Sequence, residues 1–413
     1  MNSRRGMTLV ELMVSLAIAM IIIGVATTAY VKLQRTHRTH SRLSQDYMDR
    51  LNGLKLLRYD IEMAGFGLPS SLAPGATYIE AAAVLGGFYN PALLNDSGSV
   101  PSGPRALAHL NNSGANNSDV LVIKSSAANT FNNSTGKKWS MILSAPTPQV
   151  KLWGDPVMDF TAGGGGVNAD NFIILDNTGL LLPGEGQWSC YKFNAGYFAN
   201  ASAIPYPNPQ YVYYIFGLDN STGGHNMPFN RVDYYLDNIP GAYPSYCAPN
   251  TYTLYRSVVD QVTGQLNPTP LIDCVMDFQV AFGLVNGAGA IQWQDNLVGM
   301  SAVQIQQQLR EVRVFVLYQE GRGDTGKSPD FRASGIFNLG DQDIAHGLDS
   351  TNYPAPPNGF QQWSSLALPG TPSLSSFNPA AATAGADNQY RWKILEMDVK
   401  PMNLLNLTNV TPR

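Results

Sequence analysis

The chain has 413 residues, of which 14% are charged and 44% hydrophobic, and it contains 39 glycines and 27 prolines. A net charge of −4 gives no basic surface for nucleic acid, and the hydrophobic fraction is too high for an intrinsically disordered chain. Few charges and many turn-forming residues are typical of a β-rich protein rather than of a helical cytosolic enzyme.

An uncharged apolar run lies close to the amino terminus. Residues 12–31 read LMVSLAIAMIIIGVATTAYV, which as a helix rising about 1.5 Å per residue is long enough to cross a hydrocarbon core of about 30 Å. Arg4 and Arg5 precede this run, and the positive-inside rule then predicts a cytoplasmic amino terminus with the rest of the chain in the periplasm. The sequence therefore predicts a single-pass protein of the inner membrane.

The helical pattern continues beyond the apolar run. Six apolar residues follow at spacings of three or four, which is the period of one helix face: Leu43, Tyr47, Leu51, Leu54, Leu57 and Ile61. These residues predict one helix from about Thr8 to Met63, which ends before the helix-stopping residues Gly65 and Pro69.

Glu11 does not suit a simple membrane anchor, because a carboxylate inside the bilayer costs about 2.5 kcal/mol or more unless it is paired. The stretch Gly6-Met7-Thr8-Leu9-Val10-Glu11-Leu12 closely resembles the class III leader of type IV prepilins. The resemblance implies that a membrane peptidase, the prepilin peptidase, cuts between Gly6 and Met7 and that the new amine of Met7 is methylated.

The resemblance also implies a role for Glu11 in assembly, since its carboxylate would pair with the terminal amine of an adjacent subunit. The alternative is a signal anchor in which Glu11 reaches the lipid headgroups. On the prepilin interpretation, residues 1–6 are the leader, residues 7–64 the transmembrane and amphipathic helix, and residues 65–413 the periplasmic head.

The head contains short β-branched and aromatic runs between clusters of Gly, Pro and Asn, a pattern that favours antiparallel sheet. The predicted strands are Val120–Lys124, Trp139–Leu143, Phe172–Leu175, Val212–Phe216, Val232–Leu236, Tyr252–Arg256, Val275–Phe282, Val312–Tyr318 and Trp392–Val399. One short helix is predicted at Ala302–Leu309, with Ser301 as its N-cap. The fold class is α+β, a long N-terminal helix followed by a β-rich, pilin-like head with large loop insertions.

Several of these runs resemble the PilW-type minor pilins. The residues concerned are LRYDIEMAGFG at 57–67, VMDFQVAFG at 275–283, EVRVFVL at 311–317 and VKPMN at 399–403. The resemblance implies a minor pilin that enters a type IV pilus and primes or caps it. Its partners would be other major and minor pilins, contacted through the N-terminal helix, the prepilin peptidase, and inner-membrane lipid before assembly. The alternatives are a J-type pseudopilin of type II secretion and a pilus-tip adhesin.

Three cysteines are too few for a disulfide scaffold and too widely spaced for a zinc site, and an oxidising periplasm favours one disulfide. Cys190 and Cys247 both lie beside loop-forming sequence. Cys274 begins a predicted strand, where a thiol behaves as a small hydrophobic residue. We therefore expect a Cys190–Cys247 disulfide, with Cys247–Cys274 as the alternative.

Residues 321–328 read GRGDTGKS and match the phosphate-loop pattern. Phosphate binding needs a helix that begins at the Lys-Ser pair, but Pro329 and the sequence after it carry no apolar helical stripe. We therefore interpret the run as a glycine-rich turn and expect no nucleotide binding.

Residues 326–388 are rich in Ser, Ala, Pro and Gly, and form either an extended surface loop or a partly disordered segment. Within them, Asp341, Asp343, His346 and Asp349 make an oxygen-rich group of the kind that binds calcium, although Asp-rich turns are the commoner explanation. The sequence shows no Ser/His/Asp, paired-carboxylate or Cys/His constellation. We expect no enzymatic activity, no cofactor and no metal.

Overall fold

The computed structural model describes residues 9–405 apart from 73–76, 85–88, 97–102, 130–133, 144–147, 164–168, 183–189, 195, 200–211, 219–223, 240–243, 249–250 and 322–390. The chain divides into two compact units, Met1–Asn52 and Gly53–Arg413. The first unit is helical where it is described, and the described strands all lie in the second.

The long helix α1 (Leu9–Glu62) supplies the described part of the first unit and enters the second. It contains no proline, and Gly24 is its only glycine before position 53. Gly65 and Gly67 follow its end with φ of 80° and 64°, the left-handed conformation that commonly terminates helices. The predicted long helix and its stop before Gly65 are confirmed.

The described part of the second unit contains thirteen strands. They are β1 (Leu107–Leu110), β2 (Val120–Ser125), β3 (Trp139–Leu143), β4 (Gln149–Val150), β5 (Asn171–Asp176), β6 (Tyr191–Lys192), β7 (Tyr213–Gly217), β8 (Asn230–Asp237), β9 (Tyr252–Val259), β10 (Leu266–Val285), β11 (Ile291–Gln294), β12 (Leu309–Glu320) and β13 (Arg391–Val399). Three short α-helices accompany them: α2 (Gly196–Ala199), α3 (Ala302–Gln308) and α4 (Met402–Leu405).

These strands form two sheets in which every paired strand is antiparallel, as the turn-rich sequence predicts. The large sheet has the order β1-β2-β8-β9-β10-β12-β13, and β11 pairs with β10. The small sheet has the order β4-β3-β7-β5-β6. All nine predicted strands are present, as β2, β3, β5, β7 to β10, β12 and β13. The predicted α+β fold is therefore confirmed.

The last turns of α1 belong to the main core of the second unit. Leu54, Leu57 and Ile61, spaced by three and four residues, are buried against side chains of the large sheet. The apolar stripe on this part of the helix is therefore buried in the core, as its helical period predicts. Each fully buried aliphatic side chain of this kind contributes about 1.5–3 kcal/mol through the area it removes from water.

The small sheet is packed on both faces. Ile173 and Leu175 of β5 lie in a core cluster with Phe229 and Val259, next to and within the large sheet. Phe172 and Ile174, which alternate with them along β5, lie in a second cluster on the opposite face. The alternation follows from the two-residue period of a strand.

Helix α3 begins with the predicted cap. The Ser301 hydroxyl accepts a hydrogen bond from the Gln304 backbone N–H at 3.2 Å, and the Gln304 side chain accepts one from the Ser301 N–H at 2.9 Å. This reciprocal capping box satisfies two N–H groups that the first turn leaves without helical partners. Ile305 anchors the helix in the main core.

A group of buried charges binds Glu80 and Asp96, which precede β1 in the chain, to the large sheet. The Lys124 ammonium lies 2.8 Å from Glu80 and 2.6 Å from Asp96, and Arg231 lies 2.8 Å from both Glu80 and Asp233. Burial acts to raise the pKa of Asp96, but neighbouring cations, Lys124 foremost, lower it overall. The attraction between the paired charges offsets the cost of removing them from water.

The disulfide joins Cys247 to Cys274, with 5.0 Å between their Cα atoms, so the predicted Cys190–Cys247 pairing is wrong. Cys274 does not begin a strand but lies inside β10, where the pairing register with β9 shifts between Ile272 and Val275. Its φ of 57° is rare for a residue other than glycine. Cys274 is buried, as expected of a small hydrophobic residue, but the irregularity in β10 that places it beside Cys247 has no signal in the sequence.

Candidate assembly site

The first part of α1 presents an apolar surface that the described chain leaves open. The large apolar side chains from Leu9 to Leu33 are between 42% and 76% exposed. Within the described residues, Leu9–Arg38 is the segment long and apolar enough to cross a membrane, with a mean hydropathy of 2.6. Such a surface needs lipid or other apolar helices around it.

The threonine hydroxyls of the uncharged run form hydrogen bonds within their own helix. The hydroxyl of Thr27 donates to the carbonyl of Ile23 at 2.7 Å, and that of Thr28 donates to Val25 at 2.8 Å. A hydroxyl bonded to its own helix costs little in a medium without water. The segment therefore suits an apolar environment at these positions too.

Glu11 lies in the first turn of α1, where its side chain is exposed. A negative charge near a helix N-terminus interacts favourably with the helix dipole. Gly6 and Met7, the predicted cleavage and methylation residues, lie outside the described residues. Glu11 thus lies in the first described turn of the apolar segment, four residues after Met7 in the sequence.

At the other end of α1, Asp60 fastens the helix to the large sheet. The Tyr234 hydroxyl donates to Asp60 Oδ2 at 2.5 Å, and Arg256 Nε donates to the same oxygen at 2.6 Å. A second nitrogen of Arg256 donates to the Ala128 carbonyl. Burial raises the pKa of Asp60, with the positive charge of Arg256 opposing that effect.

Sequence reasoning did not identify this role of Asp60. The available signal was its position on α1, directly before Ile61 and three residues after Leu57, both of which are buried. A charged residue on the buried side of a helix requires a partner. Its partners lie 174 and 196 residues away in the chain, so the pattern could not name them.

The remaining predicted residues do not join this site. Cys190 is half-buried in the second unit and does not take part in the disulfide. Of the phosphate-loop match, only Gly321 lies within the described residues. The acidic group from Asp341 to Asp349 lies wholly outside them. In the part of the chain that the structure describes, no three His, Cys, Asp or Glu side chains are arranged to bind a metal ion.

Residues 1–27 match the family model described as the prokaryotic N-terminal methylation motif. No curated protein and no solved structure matches the chain. The matched residues contain Gly6, Met7 and Glu11 and the greater part of the exposed apolar helix. Motif and helix together support a pilin-like or pseudopilin-like protein that is anchored in the membrane through its amino terminus.

Proposed function

We propose that the protein is a minor pilin of a type IV pilus. It is stored in the inner membrane with its amino terminus in the cytoplasm and its head in the periplasm. After removal of residues 1–6 it enters the filament through α1. The observation that carries this proposal is the methylation motif at residues 1–27, joined directly to an exposed apolar helix.

The proposed mechanism is the transfer of the apolar surface of α1 from lipid to a bundle of similar helices. Apolar burial alone does not drive helices together in a bilayer, because lipid tails are equally apolar, so polar pairs and close packing decide the register. Pairing of the Glu11 carboxylate with the terminal amine of a neighbouring subunit supplies such a polar pair. A register that left either charge without its partner would be penalised.

The size of the head favours a minor subunit over a major one. The second unit spans Gly53–Arg413, and a head of this size at every position would crowd a filament. A place at the start or the tip of the filament avoids the crowding. We therefore assign the subunit a priming or capping role.

The PilW-type resemblance supports the same assignment. Two of the stretches that carry it lie in β10 and β12, which are neighbours in the large sheet. Phe278 pairs with Val316, and Val280 with Val314. Stretches that are distant in the sequence thus form one continuous piece of the core.

Mass spectrometry of the amino terminus tests the proposal. We expect the filament fraction to contain a chain that begins with a methylated Met7. The variant Gly6→Ala should accumulate uncut in the inner membrane, whereas Ser3→Ala, a control within the leader, should be processed normally. An intact leader in filaments, or normal incorporation of Gly6→Ala, would contradict the proposal.

A further inference from the structure

A stripe of basic residues follows the apolar segment of α1 without a break. Residues 32–42 contain Lys32, Arg35, Arg38 and Arg42 and no acidic residue. Successive spacings of three, three and four residues place these positions on one side of a helix with 3.6 residues per turn. We call these four residues the basic stripe.

The basic stripe lies where a bilayer surface would be. It begins one residue after Val31, the last residue of the uncharged run, and the side chains of Lys32 and Arg38 are exposed. Tyr30, just before it, is 60% exposed, and its hydroxyl accepts a hydrogen bond from Gln34 at 2.7 Å. Tyrosine with a polar tip is typical of the membrane–water interface. Where the uncharged run spans a bilayer, the stripe therefore begins close to the depth of the lipid phosphates and continues outward from it.

Membrane orientation does not account for the basic stripe. Before the apolar run the sequence has Arg4 and Arg5, whereas the head side carries four basic residues close to the span. By the positive-inside rule, the stripe opposes the export of the head, although large domains are translocated largely regardless of such charges. Like charges on one helix face repel one another, and of the four only Arg42 has an acidic residue, Asp46, within four positions in the sequence. An anionic partner is therefore expected for the other three.

We propose that the basic stripe binds the phosphate groups of anionic phospholipids, in the leaflet on the side of the head, while the subunit is stored in the membrane. Attraction of several Lys and Arg side chains to an anionic lipid surface is additive. The proposal requires only anchoring through α1, so it is independent of the proposed role in a filament.

The competing partner is an acidic face of a neighbouring subunit. From Gly53 onward the chain has 19 Lys and Arg against 27 Asp and Glu, so the second unit is acidic. Some of these acids are buried in ion pairs inside that unit, namely Asp60, Glu80 and Asp170. Their carboxylates are therefore not accessible to another subunit. Lipid phosphate, in contrast, lies directly beside the stripe wherever the apolar segment spans a bilayer.

The test uses the full chain in nanodiscs with equal amounts of phosphatidylglycerol and phosphatidylcholine. After a detergent wash, the lipid that stays on the protein is measured by mass spectrometry. We expect the parent to retain the anionic lipid over the zwitterionic one by about threefold or more at low salt and less at high salt. The variant Lys32→Gln/Arg35→Gln/Arg38→Gln/Arg42→Gln should show no preference.

Two further variants serve as controls. The variant Lys55→Gln/Lys137→Gln/Lys192→Gln/Lys400→Gln removes the same charge from exposed positions of the second unit and should behave as the parent. Arg35→Lys/Arg38→Lys/Arg42→Lys keeps the charge and should retain the anionic lipid.

Equal retention by the parent and the stripe variant would overturn the proposal. An equal loss in the second-unit control would overturn it as well, because the effect would then be one of net charge. If the stripe variant keeps its lipid preference but no longer enters filaments, the stripe binds a neighbouring subunit and not lipid.

Discussion

Asp277 is a buried carboxylate with incomplete hydrogen bonding. Its Oδ1 atom accepts from the backbone N–H of Phe278 at 2.8 Å and from the Gln279 side chain at 3.0 Å. Its Oδ2 atom has no hydrogen-bond partner within the described part of the chain. Burial raises the pKa of Asp277 well above its usual range, and the nearby Asp119 adds to that effect. The ionised form therefore destabilises the fold.

The sign of the pH dependence follows from this raised pKa. The folded state holds the proton more tightly than the unfolded state, so stability falls as pH rises from about 4 through the folded pKa. Asp277→Asn stays neutral at every pH. In full-length protein in detergent, we expect Asp277→Asn to raise the Tm at pH 8 by about 2 °C or more, with the gain vanishing below about pH 4.

Asp260→Asn is the matched control with the opposite sign. Although burial acts to raise the pKa of Asp260, hydrogen bonds from Thr263 and Val262 lower it overall. The ionised form of this residue stabilises the fold above the unfolded pKa, and protonation removes that stabilisation as pH falls. Asp260→Asn should therefore lower the Tm at pH 8, and by progressively less as pH falls below about 4. Similar pH trends for the two variants would contradict the assignment.

At the scale of the elements, the disulfide ties the middle of β10 to the segment before β9. Its cysteines are 27 residues apart in the chain. A bond that closes a loop of this length restricts the unfolded chain, and its loss costs about 3 kcal/mol. Cys247→Ser should lower stability by that order in urea unfolding of the full chain.

Cys190→Ser is the control for this prediction, because Cys190 lies outside the disulfide. Cys190 is partly buried against a core cluster, so Cys190→Ser should lower stability by about 1 kcal/mol or less, clearly below the cost of losing the disulfide. Non-reducing peptide mapping should join the peptides that contain Cys247 and Cys274. A peptide that joins Cys190 to Cys247 would instead restore the pairing expected from the sequence.

The long β-branched and aromatic strands could be predicted from the sequence, whereas the short ones could not. Strands β4 and β6 have two residues each, too few for a period to be visible. Strand β1 reads LAHL and lacks the β-branched residues that mark a strand. The order of strands in the sheets was not predictable, because pairs such as β2 with β8 depend on contacts between distant parts of the chain.

Buried charges set a second limit on prediction. Lys124 and Arg231 are fully buried within strands, although their residue types are almost always exposed. Their shared partner Glu80 lies 44 and 151 residues away. Glu11 and the apolar run could be recognised beforehand because their signal is local in the sequence, which is not true of the contacts of Asp60.

At the scale of the whole molecule, the role proposed for Glu11 concerns assembly and not the single chain. Glu11→Ala removes a carboxylate from the apolar segment, so the variant should insert in the membrane and be cut after Gly6 as well as the parent. In filaments, the partner amine would lose its countercharge, a penalty of about 3–5 kcal/mol. We expect little or no variant in the sheared filament fraction on immunoblots.

Glu62→Ala is the control at the other end of α1, where Glu62 forms a largely exposed ion pair with Arg58. It should enter filaments as the parent does, since exposed ion pairs contribute little. Efficient incorporation of Glu11→Ala would show that the pairing mechanism is wrong for this subunit. Within the proposed priming or capping role, that result would favour the outermost position, where Glu11 has no neighbouring amine, over a position inside the helix bundle.

The burial of Leu57 and Ile61 in the main core determines where a protease can cut the chain and still release a folded head. These side chains are 1% and 0% exposed, and loss of each would cost about 2–5 kcal/mol. A protease that cut at Gly65 would release a head whose sheet had lost its covering helix turns, and such a fragment would be prone to aggregate. Release of a folded head therefore requires cleavage on the membrane side of Gly53.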